Sequence, residues 1–259
     1  KFENSDLSEQ CRNLLAGYPV ELLKRAVNYF YTKETKSSFA IEHITPNAGR
    51  MERFVRLLQN AEKDDFVSKD TLVDLQNQIV DPRYADKGYR CEQNYVGETV
   101  AWQQEKIHFI PPRPEDLGDL MEGLVLAHQR MDQSRVHPVV HAAAIAFGFV
   151  FLHPFGDGNG RIHRFLIHNI LARRGFTPQG LIFPISATML NNMAVYDAAL
   201  ESFSRPLIPL IDYTLDEEGR MTVRNQTAIR YRYPDMTAIT EALFGFIQIT
   251  IEKELVEEL

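Results

Sequence analysis

The chain has 259 residues, a formal net charge of −7 and a hydrophobic content of 44%. This apolar content suffices for a sizeable core, no apolar run is long enough to cross a bilayer, and the acidic balance argues against a nucleic-acid-binding surface. The two cysteines, Cys11 and Cys91, lack metal-ligand spacing and favour a reducing, cytoplasmic setting without disulfides.

The first third of the chain is predicted to be helical. Residues 8–31 predict one or two helices interrupted near Gly17 and Pro19, and apolar positions recur at helical spacing over 50–63 and 68–79. Two β-prone stretches separated by a polar turn follow within 92–110, and prolines end the second one. An isolated hairpin of this kind needs packing or a partner strand to be stable.

The second half begins with helices predicted over 115–132 and 138–152. The run 153–164 then reads His-Pro-Phe-Gly-Asp-Gly-Asn-Gly-Arg-Ile-His-Arg. Its glycines allow close approach to the main chain, and the apolar spacing after them predicts a helix over 160–174. A polar loop therefore leads into a helix N-terminus, which favours an anion.

The side chains of this run suit phosphate chemistry. Arg161 and Arg164 lie near one face of the first helical turn and can donate forked hydrogen bonds to phosphate oxygens. Asp157 is a hard ligand for Mg²⁺ beside phosphates, and His153 can act as a general base near neutral pH. A P-loop is excluded because no Lys-Ser or Lys-Thr follows the glycines, and the preceding apolar helix disfavours a Rossmann motif.

The run resembles the motif of the Fic family, His-Pro-Phe-x-Asp/Glu-Gly-Asn-Gly/Lys-Arg followed by x-Gly-Arg, at every fixed position of the core. His137-Pro138 and the apolar helix over 141–152 look like the family's lead-in to the motif. One departure is His163, where the family commonly has glycine. The resemblance implies an all-α, predominantly helical fold with a small β-hairpin flap over the active site.

The same resemblance implies a protein adenylyltransferase. Such an enzyme transfers AMP from ATP to a Ser, Thr or Tyr hydroxyl of a target protein, or of itself, and releases pyrophosphate. His153 would be the base, Asp157 would hold Mg²⁺ and Asn159 would bond the α-phosphate. The other phosphate contacts would come from the backbone N–H groups of Gly158, Asn159, Gly160 and Arg161 and from the side chains of Arg161 and Arg164. Positioning and electrostatics would supply most of the catalysis.

A second resemblance lies upstream, at 37–43. Some Fic proteins carry an inhibitory helix with the pattern Ser/Thr-x-x-x-Glu-Gly/Asn, which Ser38 and Glu42 match, while His43 replaces the small residue. In that family Glu42 would pair with Arg164 and keep the γ-phosphate of ATP from binding productively. Without the motif downstream, this serine and glutamate would be an ordinary helix residue and a solvated charge.

Two further regions are assigned by resemblance. The hairpin would be the flap that aligns a target segment by main-chain pairing, with Tyr95 and Val96 as contacts, although cross-strand packing explains them equally well. The helix predicted over 186–203 would border the adenine pocket through Asn192 and Tyr196. Core packing explains Tyr196 nearly as well.

We expect three regions along one main globular unit: an N-terminal helical region over 1–85 with the inhibitory motif at 38–42, a catalytic core over 86–215 with the flap at 92–110 and the motif at 153–164, and a C-terminal helical extension over 216–259. In this extension the four arginines between 220 and 232 fit a partly packed helix and loop, followed by a last helix over 236–259. The resemblance is compatible with a homodimer, which the residues alone do not indicate.

Two alternative functions remain open on the sequence. The same site could remove AMP by hydrolysis, with Glu42 aligning a water molecule. A metal-dependent hydrolase could instead use His153, Asp157, His163 or His168, but their spacing matches no common metal template and the neighbouring arginines would oppose a cation.

Overall fold

The computed structural model describes residues 6–101 and 104–259, so residues 102 and 103 of the predicted flap lie outside the described residues. The α-helices are α1 (Leu7–Ala16), α2 (Val20–Ala40), α3 (Ala48–Gln59), α4 (Lys69–Ile79), α5 (Pro114–Asp132), α6 (Pro138–Leu152), α7 (Asn159–Arg173), α8 (Ile185–Asn191), α9 (Met193–Leu207), α10 (Ala228–Arg232), α11 (Thr237–Ile249) and α12 (Leu255–Glu258). Two antiparallel hairpins complete the fold, β1 (Val96–Ala101) with β2 (Gln104–Phe109) and β3 (Tyr213–Leu215) with β4 (Met221–Val223). The prediction of a predominantly helical fold with a small hairpin is confirmed.

Local chemistry explains where several helices begin. The Asn47 side chain accepts a hydrogen bond from the backbone N–H of Arg50 at the start of α3, and Ser68 forms a capping box with Thr71 at the start of α4. Helices α5 and α6 each begin with a proline, which suits the first turn because no N–H is required there.

Helices α6 and α7 pack against each other and are buried over most of their length. Their burial explains why α6 is apolar on all sides rather than amphipathic. One hydrophobic core extends from α1 to α12 around this pair. Since residues 153–158 form the loop between α6 and α7 and residues 159–164 form the first turns of α7, two buried helices fix both ends of the motif.

Three sequence predictions were wrong in detail. The helix expected over 186–203 is divided into α8 and α9, because Asn192 leaves helical geometry and its side chain donates to the carbonyl of Thr188. The last helix contains a π-helical turn, Thr250–Glu254, in which the Thr250 hydroxyl donates to the carbonyl of Phe246. The arginine-rich segment expected as helix and loop includes strand β4, which pairs with β3.

Among the described residues, no helix combines the length and apolar character that spanning a bilayer requires.

Candidate active site

His153 lies at the end of α6 in a left-handed backbone conformation, with φ 50° and ψ 56°. This conformation is uncommon for a residue with a side chain and persists where the surroundings hold it. Arg90 provides that support: its Nε donates to the His153 carbonyl at 2.9 Å, and its backbone N–H donates to the Pro154 carbonyl at 2.8 Å. The Arg90 side chain also donates to the carbonyls of Glu92 and Pro112, which flank the hairpin.

The half-buried ring of His153 is oriented for proton acceptance. Its Nδ1 lies 3.1 Å from the carbonyl oxygen of Val150, and because a carbonyl only accepts, Nδ1 must carry the proton in that bond. The neutral ring therefore has its acceptor at Nε2. Burial and, less strongly, Arg90 lower the pKa of His153 to about 4, against the opposing effects of the Val150 carbonyl, Glu42 and Asp157. The ring is thus neutral at physiological pH.

The glycine-rich loop is fixed by side chains from α4 and the segment after it. The Asp86 carboxylate accepts from the backbone N–H of Gly156 at 3.1 Å, and the buried amide of Gln76 donates to the carbonyl of Asp157. Inside the loop, Asn159 closes a reciprocal pair with Phe155, donating to its carbonyl and accepting from its N–H. The Asn159 side chain, expected at the α-phosphate, is therefore engaged within the loop.

Gly158, which precedes α7, has φ 92° and is packed so tightly that a Cβ would lie 2.8 Å from Val80 Cγ1. Both restrictions require glycine here. The first turn of α7 thereby presents its backbone N–H groups next to the loop, as expected for an anion site.

The two motif arginines are almost completely buried, Arg161 at 0% and Arg164 at 2% exposure. Arg161 donates through Nε to Glu42 at 2.7 Å and through Nη2 to Asp157 at 2.5 Å. Arg164 donates to the Ser38 hydroxyl at 2.9 Å, to the Ser38 carbonyl at 2.6 Å and to Glu42 at 2.7 Å. Burial alone would lower the pKa of Arg164, but Glu42 and Tyr196 raise it, so the guanidinium stays charged.

The Glu42 carboxylate covers the start of α7. A Cβ on Gly160 would collide with its Oε1, so the carboxylate lies directly against the first helical turn. It also bridges both arginines, which gives it the surroundings that a phosphate would require. Ser38 and Glu42 thus meet the motif as the sequence predicted, with Arg161 as an additional partner.

Asn192 and Tyr196, which the sequence predicted to border the adenine pocket, lie in two different surroundings. Tyr196 is buried, contacts the Arg164 guanidinium and stacks on His163 with ring centroids 6.3 Å apart. Asn192 lies on the rim of a different depression, between α9 and α11. The His163 ring fills the space between Phe147, at 4.3 Å, and Tyr196, so it points away from the loop.

A cavity of about 540 Å³ opens beside His153, between the first hairpin and α9. Val96 is in its wall, whereas Tyr95 packs at the edge of the hydrophobic core. Besides His153, the polar residues in the cavity wall are His43, Glu98, His108, Asp197, Glu201 and Ser204. No sequence motif had assigned them to this cavity. Those on α9 recur with Met193 and Leu200 at helical spacing, a signal that could have indicated one exposed face.

Asp157 is the candidate ligand for Mg²⁺. Its Oδ1 accepts from Arg161 and from the N–H of Gly158, and its side chain is about one-third exposed at 34%. The part of the chain that the structure describes contains no group of three His, Cys, Asp or Glu side chains suited to a metal ion. The residues therefore fit a magnesium ion that is coordinated mainly by phosphates and water, with one carboxylate ligand from the protein. The metal-dependent hydrolase hypothesis finds no ligand set among these residues.

Comparisons with known proteins agree with this geometry. Residues 66–171 match the Fic/DOC family. "Protein adenylyltransferase Fic" of Culex quinquefasciatus is 36% identical over 122 residues, which covers 45% of this chain and 22% of the relative. The protein of the same name from Nematostella vectensis is 32% identical over 120 residues, covering 45% of this chain and 26% of the relative. The chain thus spans about a quarter or less of the length of these curated relatives.

Two solved structures share the fold. A Fic family protein from Desulfovibrio desulfuricans has a TM-score of 0.66 at 17% identity, covering 97% of this chain and 74% of that one. A Fic domain containing signaling protein from Bacteroides thetaiotaomicron has a TM-score of 0.61 at 20% identity and covers 96% of both chains. The motif and the helical fold agree with this match, so residues 66–171 of the chain are similar to the Fic/DOC family.

Proposed function

We propose that this chain is a protein adenylyltransferase, which transfers AMP from ATP to a Ser, Thr or Tyr hydroxyl and is held inactive by Glu42. One observation carries the proposal. A neutral histidine with its acceptor nitrogen available begins the loop that leads into a helix N-terminus with two buried arginines, and the chain's own Glu42 carboxylate bonds both arginines. The sequence likeness to proteins named adenylyltransferases supports the same reaction class.

In the proposed reaction the triphosphate replaces the Glu42 carboxylate. Arg161 and Arg164 then bind phosphate oxygens, and the first backbone N–H groups of α7 face them. Asp157 would hold Mg²⁺, which when bound offsets the charge of the phosphates and of the departing pyrophosphate. The cavity beside His153 provides room for the target side chain and the nucleoside.

The chemical step is a single displacement. The target hydroxyl oxygen forms a bond to the α-phosphorus while the bond from that phosphorus to the bridging oxygen of pyrophosphate breaks. The hydroxyl proton passes to Nε2 of His153, whose Nδ1–H remains bonded to the Val150 carbonyl. The Val150 bond therefore fixes both the tautomer and the direction of the ring.

Other features of the proposal follow from the same residues. Val96 and the strand that follows it would pair with an extended segment of the target, as exposed strands do in β-augmentation. We also propose that the chain divides into three regions, with boundaries at 85 and 215. The unpaired Cys11 and Cys91 favour a cytoplasmic location.

The test compares four proteins incubated with α-labelled ATP and magnesium: the unaltered chain, Glu42→Gly, His153→Ala and the double variant. Glu42→Gly should increase the label retained on protein at least about tenfold, because both arginines become available to the triphosphate. His153→Ala in that background should reduce labelling by at least about 100-fold, the usual contribution of a general base.

The matched control is His108→Ala in the Glu42→Gly background, since His108 lines the same cavity from the hairpin. It should retain labelling within about threefold if the loss at His153 is specific. Absence of labelling on any protein by Glu42→Gly, with ATP binding intact, would overturn the transferase proposal. Release of AMP from a modified protein by the unaltered chain would then favour the hydrolytic alternative, in which Glu42 aligns water.

A further inference from the structure

A second polar connection joins the inhibitory helix α2 to the motif helix α7, away from the phosphate site. Glu34 of α2 is fully buried, and its carboxylate lies 2.8 Å from Nε2 of His168 on α7. The same carboxylate accepts from the backbone N–H of Ser186 at 2.8 Å and from the Ser186 hydroxyl. A buried carboxylate is tolerated only when bonded in this way, so the three groups form a closed unit.

This unit continues a series of contacts between the two helices. Glu34, Ser38 and Glu42 follow one another at intervals of four residues, which places them on one side of α2 and the turn after it. Their partners on α7 run in the opposite order, His168 for Glu34, Arg164 for Ser38, and Arg161 together with Arg164 for Glu42. The Glu34 contact lies about 12 Å along the helix from Glu42.

The turn that carries Glu42 is bonded to the end of α2. The backbone N–H groups of Glu42 and Ile44 both donate to the carbonyl of Phe39, and that of His43 donates to the carbonyl of Ala40. The Ser38 carbonyl and hydroxyl also hold Arg164 directly. Complete release of Arg164 to a phosphate therefore requires the last turn of α2 to move relative to α7.

We propose that Glu34 and His168 are positioning residues that set how firmly α2 holds Glu42 and Ser38 on the two motif arginines. Their contact lies one helical turn before that of Ser38 with Arg164, which a nucleotide would displace. It therefore fixes the register of α2 on α7 outside the phosphate site. The inference rests on the proposed inhibition by Glu42 and extends it to a site that no phosphate reaches. Weakening this contact should favour the state in which the arginines are available.

A purely structural role for the buried unit makes the opposite prediction. If Glu34 served only the core, its substitution would lower activity through instability, whatever residue occupied position 42. If it positions Glu42, its substitution should raise activity, and the gain should vanish once Glu42 is absent. The double-variant comparison therefore separates the two roles.

The experiment measures labelling with α-labelled ATP and magnesium for Glu34→Gln, Glu42→Gly and the double variant. Glu34→Gln keeps the side-chain volume and removes the charge that His168 contacts. It should raise the initial rate about three- to tenfold and lower the KM for ATP, as expected for loss of one charge-assisted hydrogen bond. The double variant should match Glu42→Gly within about twofold.

Ser186→Ala is a milder second variant, because it removes one hydroxyl bond and leaves the charge. The matched control is Asp65→Asn, which alters a carboxylate that also faces a buried histidine, His128, at 3.2 Å but contacts neither α2 nor Glu42. Thermal unfolding verifies that each variant is folded. Asp65→Asn should leave the labelling rate unchanged.

A binding measurement separates failure of this inference from failure of the proposed function. ATP binding to His153→Ala should tighten about three- to tenfold when Glu34→Gln is added, and this readout needs no transfer. Tighter binding with no labelling by Glu42→Gly would overturn the transferase function and keep the role of Glu34. Unchanged binding and labelling in folded Glu34→Gln, or an equal loss with and without Glu42, would overturn the role of Glu34.

Discussion

Arg90 is partly buried, and within the described residues its guanidinium donates to three backbone carbonyls. Its bonds reach the carbonyls of His153, Glu92 and Pro112, so one side chain connects the left-handed turn of the motif with both sides of the hairpin. Burial lowers the pKa of Arg90 to about 10, which still leaves it protonated at neutral pH. We expect Arg90 to position His153 by holding its strained backbone.

Arg90→Met tests this role, since methionine fills much of the volume and removes every donor. In the Glu42→Gly background, transfer should fall about 10- to 100-fold through misplacement of His153, while ATP affinity changes less than about threefold. Arg90→Lys should restore part of the rate. An unchanged kcat in a folded Arg90→Met protein would contradict the prediction.

His163 is a second unusual residue, placed within the core where the family commonly has glycine. Its ring lies between Phe147 and Tyr196, and within the described residues neither ring nitrogen reaches hydrogen-bond geometry. Burial and, less strongly, Arg164 lower the pKa of His163 from 6.5 to about 3, against a small opposing effect of the Ala146 backbone. The neutral ring is therefore favoured in the fold, and its contribution to stability is lost as pH falls below 6.5 towards 3.

His163→Phe should raise the free energy of unfolding by about 1 kcal/mol at neutral pH, because phenylalanine fills the same space without buried nitrogens that lack hydrogen-bond partners. The advantage should grow by roughly 2 kcal/mol at pH 5, where the unfolded histidine binds a proton and the folded one does not. Denaturant unfolding at both pH values measures this difference. His108→Phe on the hairpin is the surface control, and an advantage independent of pH would contradict the assignment.

The first hairpin depends on a glycine at a close crossing of its strands. A Cβ on Gly97 would lie 2.8 Å from the backbone carbonyl of Lys106 and 3.3 Å from the Tyr95 ring. The pairing register shifts between Val96 and Gly97, so the irregularity lies at the residue that lines the cavity by His153. Strand geometry at this point therefore governs the surface offered to a target segment.

Gly97→Ala should distort this hairpin and reduce transfer to a protein target about tenfold in the Glu42→Gly background, with ATP binding altered less than about twofold. Gly88→Ala is a matched control, because a Cβ there would meet nothing within 4 Å. Equal effects of the two substitutions would refute a specific role for the hairpin.

Sequence patterns predicted the helices that flank the motif more closely than the C-terminal elements. Helix α6 has the predicted bounds, and α7 begins one residue early, because apolar periodicity and the glycines mark both. The break at Asn192 depends on one local side-chain bond, which periodicity does not encode. The β3–β4 turn did carry a signal, since Asp216 accepts from the N–H groups of Glu218 and Arg220, and Gly219 has φ 78°.

At the scale of the whole molecule, the contacts that complete the site join distant parts of the chain. The pairing of Glu42 with Arg164 spans 122 positions and could be anticipated only through the family resemblance. The bond from Arg90 to His153 spans 63 positions and had no sequence signal, because an isolated arginine forms no pattern. The motif could thus be recognised from the sequence, whereas the contacts that hold it in place became apparent only from the fold.

The C-terminal region also contacts helix α2. Lys33 of α2 bonds Glu254 at 2.7 Å and Glu258 at 3.0 Å, one residue before the buried Glu34. The pKa of Lys33, which partial burial alone would lower, is raised by these two carboxylates. Helix α2 therefore lies between the motif helix and the end of the described chain, and both neighbours restrain it.

The carboxylate that bridges Arg161 and Arg164 belongs to the same polypeptide as the arginines. Its effective concentration at the anion site is set by chain geometry, so dilution of the protein cannot remove it. A nucleotide must compete with this tethered carboxylate. Its apparent dissociation constant is the intrinsic constant divided by the fraction of molecules in which the arginines are not bonded to Glu42. Occupancy should consequently depend on the nucleotide concentration relative to this apparent constant.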